Sequence, residues 1–158
     1  MKELVTTLLF LRNDDQILLA MKKRGHGAGH WNGVGGKVEG NETIEQAMVR
    51  ECQEEIAVTP VAYQKVAVLD FYEHYQGAAG HIICNTFVAT EWSGIPAETE
   101  EMSPQWFQIS GIPYDSMWPD DAQWLPQVLA GAKLTGSFYY NATNELQTYT
   151  INTVEALS

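Results

Sequence analysis

The sequence has few basic residues, few cysteines and no long hydrophobic run. Lys and Arg number 9 against 20 Asp and Glu, which gives a formal net charge of -11. A surface with this charge repels nucleic-acid phosphates, so we expect no binding to a nucleic-acid polymer. A small polyanion is still accessible to such a protein, because divalent cations neutralise the contact between phosphates and carboxylates.

The apolar run near the N-terminus, Leu8 to Leu11, is too short to cross a membrane and has no signal-type cleavage pattern. We expect a buried strand there and no membrane association. The two cysteines, Cys52 and Cys84, are far apart and lack metal-type spacing, which favours reduced core thiols in a cytoplasmic protein. Because no oligomerisation signal is visible, we expect a monomer.

The 158 residues, 45% of them hydrophobic, fit a single domain that spans residues 1–158. Strand-like patterns over residues 4–12 and 16–24 flank the polar turn "NDDQ" and predict a hairpin. A helix is predicted over residues 43–55 and a second one over residues 120–134. The order of strands, helix, strands, helix and strands is typical of an α+β fold or a mixed-sheet sandwich.

Local signals mark the start of both helices. Thr43 is a plausible N-cap, with Gln46 three residues later as in a capping box. In the second helix, Pro126 is tolerated only if the helix begins late enough to keep it in the first turn.

The first helix carries three carboxylates on one face. Glu51, Glu54 and Glu55 stand at i, i+3 and i+4. Three like charges destabilise a helix unless a cation lies among them, and an oxygen-preferring Mg²⁺ or Mn²⁺ is the natural partner. Arg50 can pair with one of the three. Taken alone, the pattern is more often a solvated acidic face.

The spacing around this helix is more specific than the helix itself. The matching positions are, in order, Gly36, Glu42, Arg50, Glu51, apolar Cys52, Glu54 and Glu55. Here the sequence resembles the Nudix hydrolases, whose signature is G-x5-E-x7-R-E-U-x-E-E-x-G-U, with U apolar. It departs from the signature at Ala57, where the family has glycine. An alanine in a left-handed helix cap costs about 1 kcal/mol. Since no ligand is lost, we do not expect the change to be inactivating.

The resemblance implies an α/β/α sandwich with a mixed β-sheet between helices, and metal-dependent hydrolysis of a nucleoside diphosphate linked to another group. Mg²⁺ is the implied cofactor, with Mn²⁺ as an alternative. The implied catalytic positions are Arg50, Glu51, Glu54 and Glu55. The implied metal ligands are the Gly36 carbonyl, Glu51, Glu54, Glu55 and Glu101. Glu42 and Arg50 are expected to support the loop and the helix. Which carboxylate acts as the general base is left open.

The segments 21–37, 101–109 and 117–126 resemble one subgroup, the oxidised-purine nucleoside triphosphatases, or MutT-type 8-oxo-dGTP diphosphatases. This implies hydrolysis of an oxidised purine nucleoside triphosphate to the monophosphate and pyrophosphate. It nominates Asn32, Asp120 and Asp121 as readers of the base edge and Trp118 as its stacking partner. The other implied pocket residues are Thr7, Lys22, Phe71, Met102, Trp124 and Phe138. The alternatives are another Nudix substrate (an ordinary dNTP, a dinucleoside polyphosphate or a nucleotide sugar) and a nucleotide sensor without catalysis.

Simpler interpretations remain open for the stretch "MWPDDAQW". Asp120 and Asp121 are suited to the N-cap and first turn of a helix, and the tryptophans to a core. If both aspartates line an apolar pocket, we expect one to be protonated when the ligand is bound. Two departures from the subgroup, His26 and Glu73, leave the preference among purines open.

Overall fold

The chain folds around two β-sheets that are flanked by helices. The computed structural model describes residues 2–75 and 78–157. In chain order the elements are β1 (Lys2–Leu11), β2 (Gln16–Lys22), β3 (Trp31–Asn32), α1 (Ile44–Ile56), β4 (Thr59–Tyr75), β5 (Ala78–Ser93), β6 (Met102–Gln108), α2 (Asp121–Leu129), β7 (Lys133–Tyr140) and β8 (Leu146–Val154). The strand order is β1-β5-β4-β7-β8 in the larger sheet and β3-β2-β6 in the smaller. The larger sheet is mixed, because β1–β5 and β4–β7 are parallel pairs and the others antiparallel.

The two helices cover opposite faces of the structure. Leu9 belongs to a core cluster with Met48 and Cys52 of α1, whereas Phe10 belongs to a cluster with Trp124 and other residues of α2. Since consecutive strand residues point to opposite faces, the two clusters lie on the two sides of β1. The expected α+β sandwich with a mixed sheet is confirmed. No helix in the described part of the chain is long and apolar enough to cross a membrane.

The predicted hairpin between the first two strands is wrong. The polar turn forms, with the Asn13 amide donating to the Gln16 carbonyl at 3.1 Å. However, β1 pairs with β5, and β2 pairs with β3 and β6 in the other sheet. The outer edge of β1 is instead taken by the glycine-rich segment 34–38, through the Leu9 amide to the Val34 carbonyl at 2.7 Å and the Val38 amide to the Val5 carbonyl at 3.0 Å. This segment thereby lies between β1 and α1.

Helix α1 begins as predicted and ends with a strained residue. The Thr43 hydroxyl accepts from the Gln46 amide at 3.1 Å, and the Gln46 side chain accepts from the Thr43 amide at 2.9 Å. At the other end, Ala57 has φ 63° and ψ 32°, and its amide donates to the Gln53 carbonyl at 3.0 Å. The chain therefore makes the left-handed cap with alanine and accepts a cost of about 1 kcal/mol.

Helix α2 contradicts the expectation for Pro126. The helix starts at Asp121, which places Pro126 in its second turn rather than the first. Proline has no amide to offer the carbonyl four residues earlier, that of Ala122. Because Ala122 is exposed, water can satisfy that carbonyl and the helix continues.

Candidate active site

The glycine loop and helix α1 approach each other closely enough to require glycine. The Gly35 amide donates to the buried Glu55 carboxylate at 2.7 Å. A Cβ at Gly35 would lie 1.9 Å from the Thr7 carbonyl oxygen, and one at Gly36 would lie 2.5 Å from Glu51 Oε1. A side chain at Gly35 would collide with the backbone of β1, and one at Gly36 would displace the Glu51 carboxylate. The two glycines therefore allow the loop backbone to pack between β1 and the carboxylates of α1.

Arg50 connects the carboxylates of α1 with the loop. Its Nε and Nη2 donate to Glu42 at 2.6 and 2.9 Å, in a bidentate pair. Its Nη1 donates to Glu51 at 3.0 Å and to Glu54 at 3.2 Å. Nη2 also donates to the Lys37 carbonyl at 3.0 Å. This fork fixes the orientation of Glu51 and ties the helix to the end of the loop.

The glutamates on this face differ in their environment. Glu55 is only 7% exposed, and burial together with the charge of Glu51 raises its pKa to about 8. Burial also raises the pKa of Glu51, while the adjacent Arg50 opposes this shift. Glu54 is exposed. Glu101 pairs with Arg24 at 2.6 Å, which lowers the pKa of Glu101. The desolvated carboxylates of Glu51 and Glu55 are thus the two groups on α1 that a bound cation would stabilise most.

The oxygen atoms at this site fit a divalent cation that prefers oxygen ligands. They belong to the carboxylates described above and to the Gly36 carbonyl, which accepts from the Thr7 amide at 2.9 Å and retains a second lone pair. Within residues 2–75 and 78–157, no three acidic, histidine or cysteine side chains form a ready-made metal cluster. Glu51 and Glu54 both accept from Arg50, so cation binding requires the exposed Glu54 to exchange this partner.

A cavity of about 240 Å³ adjoins the glycine loop. It is lined by Gly35 and Gly36, so its inner end reaches the loop that covers Glu51 and Glu55. All but one of the predicted base-binding and pocket residues line this cavity, namely Thr7, Lys22, Asn32, Phe71, Met102, Trp118, Asp120, Asp121 and Trp124. Phe138 is fully buried and stacks on Phe71, with ring centroids 5.3 Å apart. It supports the wall of the cavity from behind.

Asp120 and Asp121 are both buried in the cavity wall, at 4% and 2% exposure. Asp120 holds the N-cap position of α2, but its side chain makes no capping bond. Its carboxylate instead accepts from the Trp124 indole at 2.8 Å and from the Tyr140 hydroxyl. The interpretation of Asp120 as a side-chain helix cap is therefore wrong.

The two aspartates are not equivalent. Burial raises the pKa of Asp120, while the Tyr140 and Trp124 donors oppose that shift. Burial raises the pKa of Asp121 well above its ordinary value, and the charge of Asp120 raises it further. A backbone hydrogen bond from Trp118 opposes the shift of Asp121. Because two coupled buried carboxylates resist ionising together, and two side chains donate to Asp120 while Asp121 Oδ2 has no partner, we infer that Asp120 holds the negative charge and Asp121 the proton.

Two cavity residues, His30 and Tyr140, escaped the sequence reasoning. The His30 ring stacks on Trp118 with centroids 4.5 Å apart and planes 7° apart, and Tyr140 meets Trp118 edge-on at 6.2 Å. His30 lies two residues before Asn32 in the glycine-rich segment, which is a usable signal. Tyr140 lies in β7, and no local pattern connects it with Asp120.

His26 and Glu73, the two departures from the subgroup, both line the cavity. The His26 ring lies 5.2 Å from that of Trp118. Burial raises the pKa of Glu73, and the charge of His26 opposes the shift. The two departures therefore add one imidazole and one carboxylate to the lining of the cavity.

Three buried polar atoms lack a protein partner among the described residues, and all three belong to residues that line this cavity. They are Thr7 Oγ1, His30 Nδ1 and Asp121 Oδ2. An unsatisfied buried polar group costs about 1–3 kcal/mol. Their concentration in one cavity indicates a ligand that carries several hydrogen-bonding groups.

The chain is similar to known proteins both in sequence and in fold. The sequence profile of the NUDIX domain matches residues 2–128. The chain is 39% identical over 150 residues to an oxidized purine nucleoside triphosphate hydrolase of Mus musculus, covering 95% of each chain. It is 40% identical over 151 residues to the protein of the same name from Danio rerio, covering 96% of each. The crystal structure of a MutT mutator protein from Bacillus halodurans superimposes with a TM-score of 0.82 at 25% identity, covering 94% of this chain and 97% of that one.

Proposed function

The chain belongs to the Nudix family, and on that premise we propose that it hydrolyses oxidised purine nucleoside triphosphates, such as 8-oxo-dGTP or 2-hydroxy-dATP. The products are the nucleoside monophosphate and pyrophosphate, and the role is removal of damaged nucleotides from the cytoplasmic pool. The observation that carries this proposal is the buried Asp120–Asp121 pair in a cavity lined also by Gly35 and Gly36, the loop glycines that lie against Glu55 and Glu51 of α1. The similarity to the mouse and zebrafish hydrolases supports it.

The base end of the substrate occupies the cavity. A guanine-type purine presents N–H donors along one edge, and the ionised Asp120 accepts from them. The protonated Asp121 supplies one donor and one acceptor, which suits the oxo groups of an oxidised base. Asn32 adds an amide whose Oδ1 already accepts from the Gly33 amide at 2.8 Å, so its NH₂ group is the part offered to the base.

The phosphates extend from the cavity toward the glycine loop and α1. Lys22 lines the cavity; its charge opposes the rise that burial causes in the pKa of Glu55, and it adds to the effect of Arg24 in lowering the pKa of Glu101. We propose that its ammonium group binds a phosphate oxygen. Arg50 holds Glu51 in position for the same region.

Nudix hydrolases use divalent metal ions, and we propose Mg²⁺, with Mn²⁺ able to replace it. The residues proposed to hold the ions are the Gly36 carbonyl, Glu51, Glu54, Glu55 and Glu101. Bound there, divalent ions neutralise the phosphates and lower the pKa of an attacking water. The cations also explain how a chain with a net charge of -11 accepts a triphosphate.

A substrate panel tests the proposal. The purified protein is incubated with Mg²⁺ and each of 8-oxo-dGTP, 2-hydroxy-dATP, dGTP, dATP, a dinucleoside polyphosphate and a nucleotide sugar, and the products are separated. We expect an oxidised purine triphosphate to have the highest kcat/KM and to release pyrophosphate. If the oxidised nucleotides react no faster than dGTP and dATP, the substrate assignment fails. Nucleotide binding without metal-dependent release of pyrophosphate would identify a sensor instead.

A further inference from the structure

His30 lies at the cavity wall and stacks on Trp118. Its ring covers one face of Trp118 at 4.5 Å and 7°, which fixes the plane of the indole. Its backbone is held by two hydrogen bonds, from its own amide to the Gly27 carbonyl at 3.1 Å and from the Lys22 amide to its carbonyl at 3.4 Å. The imidazole is therefore positioned from both the ring side and the backbone side.

The Nδ1 atom of His30 is buried without a hydrogen-bond partner. It shares this state with Thr7 Oγ1 and Asp121 Oδ2, and the three residues line the same cavity. A neutral imidazole nitrogen either donates or accepts, depending on the tautomer, and so does a hydroxyl. Because the three residues line one cavity, a ligand that fills it can reach more than one of these unpartnered groups.

We propose that His30 is a specificity-determining residue: its ring holds Trp118 in place, and its Nδ1 forms a hydrogen bond with the 8-oxo or the 2-amino group of the bound purine. This inference rests on the proposed function, because it assumes that a purine occupies the cavity. Depending on its tautomer, Nδ1 donates to an oxo group of one oxidised base or accepts from an amino group of another. His30 does not take part in the chemistry at the phosphates.

Two substitutions separate the two roles. His30→Phe keeps a flat ring against Trp118 and removes the nitrogen, whereas His30→Ala removes both. We expect His30→Phe to lower kcat/KM for the best substrate by about 3- to 10-fold, mainly through KM, since one neutral hydrogen bond is lost. The loss in His30→Ala should be larger.

The decisive comparison uses three nucleotides. The reference is 8-oxo-dGTP, which carries the complete base; dGTP lacks the 8-oxo group, and 8-oxo-dITP lacks the 2-amino group. If Nδ1 binds one of these groups, His30→Phe loses activity on the complete base but little on the analogue without that group. An equal loss on all three nucleotides indicates a merely structural role and overturns the hydrogen bond. Unchanged kinetics on all three overturn it as well.

His81→Phe is the matched control. His81 also stacks on an aromatic ring, that of Tyr72, at 4.4 Å and 7°, but it does not line the cavity. We expect the selectivity of the His81→Phe protein among the three nucleotides to equal that of the wild type.

A second readout does not depend on turnover. The ¹⁵N resonances of the His30 imidazole are followed while 8-oxo-dGMP is added without metal. A shift of the Nδ1 resonance on saturation supports the proposal, and saturation without a shift contradicts it. If the wild type hydrolyses no nucleotide yet 8-oxo-dGMP still shifts Nδ1, the proposed function fails while the role of His30 in binding stands.

Discussion

The protein contains two groups of carboxylates that solve the problem of negative charge in opposite ways. On α1, Glu51 and Glu54 share a guanidinium, that of Arg50, and lie at a half-buried to exposed surface. In the cavity, Asp120 and Asp121 are almost fully buried and form no ion pair among the described residues, while the side chains of Trp124 and Tyr140 donate to Asp120. The glutamates of α1 are suited to replace the Arg50 guanidinium by metal ions as the partner of their charge. The two aspartates of the cavity are suited to hold one proton between them. Residues of the same chemical type thus serve a polyphosphate at one end and a base at the other.

The largest effect is expected from Glu55→Gln, which removes the buried carboxyl group on α1. We expect turnover to fall by about two orders of magnitude or more, because a metal ligand or proton acceptor is lost, while nucleotide binding stays measurable. Steady-state kinetics with Mg²⁺ and calorimetric titration provide the two readouts. Glu45→Gln, an exposed change on the same helix, is the control and should leave turnover unchanged. Full activity in Glu55→Gln would remove Glu55 from the chemistry.

The next largest effect is expected from Asp120→Asn, and Asp121→Asn is the variant to compare with it. Asp120→Asn should lower kcat/KM for guanine-type nucleotides by about 10- to 100-fold, since hydrogen bonds to a charged acceptor are lost. Asp121→Asn should cost much less near neutral pH, because an amide has one donor side and one acceptor side, like a protonated carboxyl. Kinetics on 8-oxo-dGTP and 2-hydroxy-dATP measure both. A larger loss in Asp121→Asn than in Asp120→Asn reverses our assignment of the proton.

A smaller effect, on stability, is expected from Arg50→Ala. It leaves Glu42 and Glu51 without their shared guanidinium and frees the loop at the Lys37 carbonyl. We expect a loss of about 1–2 kcal/mol in the free energy of unfolding, measured with urea, because these pairs are only partly buried. Added Mg²⁺ should recover part of this loss if the freed carboxylates bind it. Unchanged stability would mean that the Arg50 network is only a surface feature.

The smallest effect is expected from Ala57→Gly. Glycine adopts the left-handed cap without strain, so we expect a gain of about 0.5–1 kcal/mol in the free energy of unfolding, with kcat unchanged. Ala122→Gly, at an exposed position with ordinary helical geometry in α2, should lose about the same amount. A destabilised Ala57→Gly protein would show that the cap is not strained.

Local signals predicted the parts of the site that depend on neighbours in sequence. The spacing from Gly36 to Glu55 indicated a loop and a capped helix with carboxylates on one face, and the helix starts at Ile44 as the Thr43 cap predicts. The predicted hairpin of β1 and β2 was wrong because the segment 34–38 takes the edge of β1. No pattern within β1 or β2 shows that a later segment occupies this edge.

Contacts between distant elements account for the other gaps. Tyr140 donates to Asp120 across 20 positions, and His30 meets Trp118 only because two loops converge. Phe138 lies behind Phe71 because the strands β4 and β7 pair in that register, Phe71 opposite Phe138. Burial, which decides the protonation of Asp121, likewise follows from the assembled fold and not from the sequence pattern.

The most direct test of this division of charge is a ¹³C NMR titration of the aspartate carboxyl groups, in the wild type and in Asp121→Asn. A carboxyl with a raised pKa keeps its proton above the ordinary Asp range and loses it only when the pH passes the raised value. We therefore predict one aspartate resonance that stays in its protonated position well above the ordinary range and is missing from Asp121→Asn. If every aspartate carboxyl titrates near its ordinary pKa, both aspartates are ionised and the account of base recognition is contradicted.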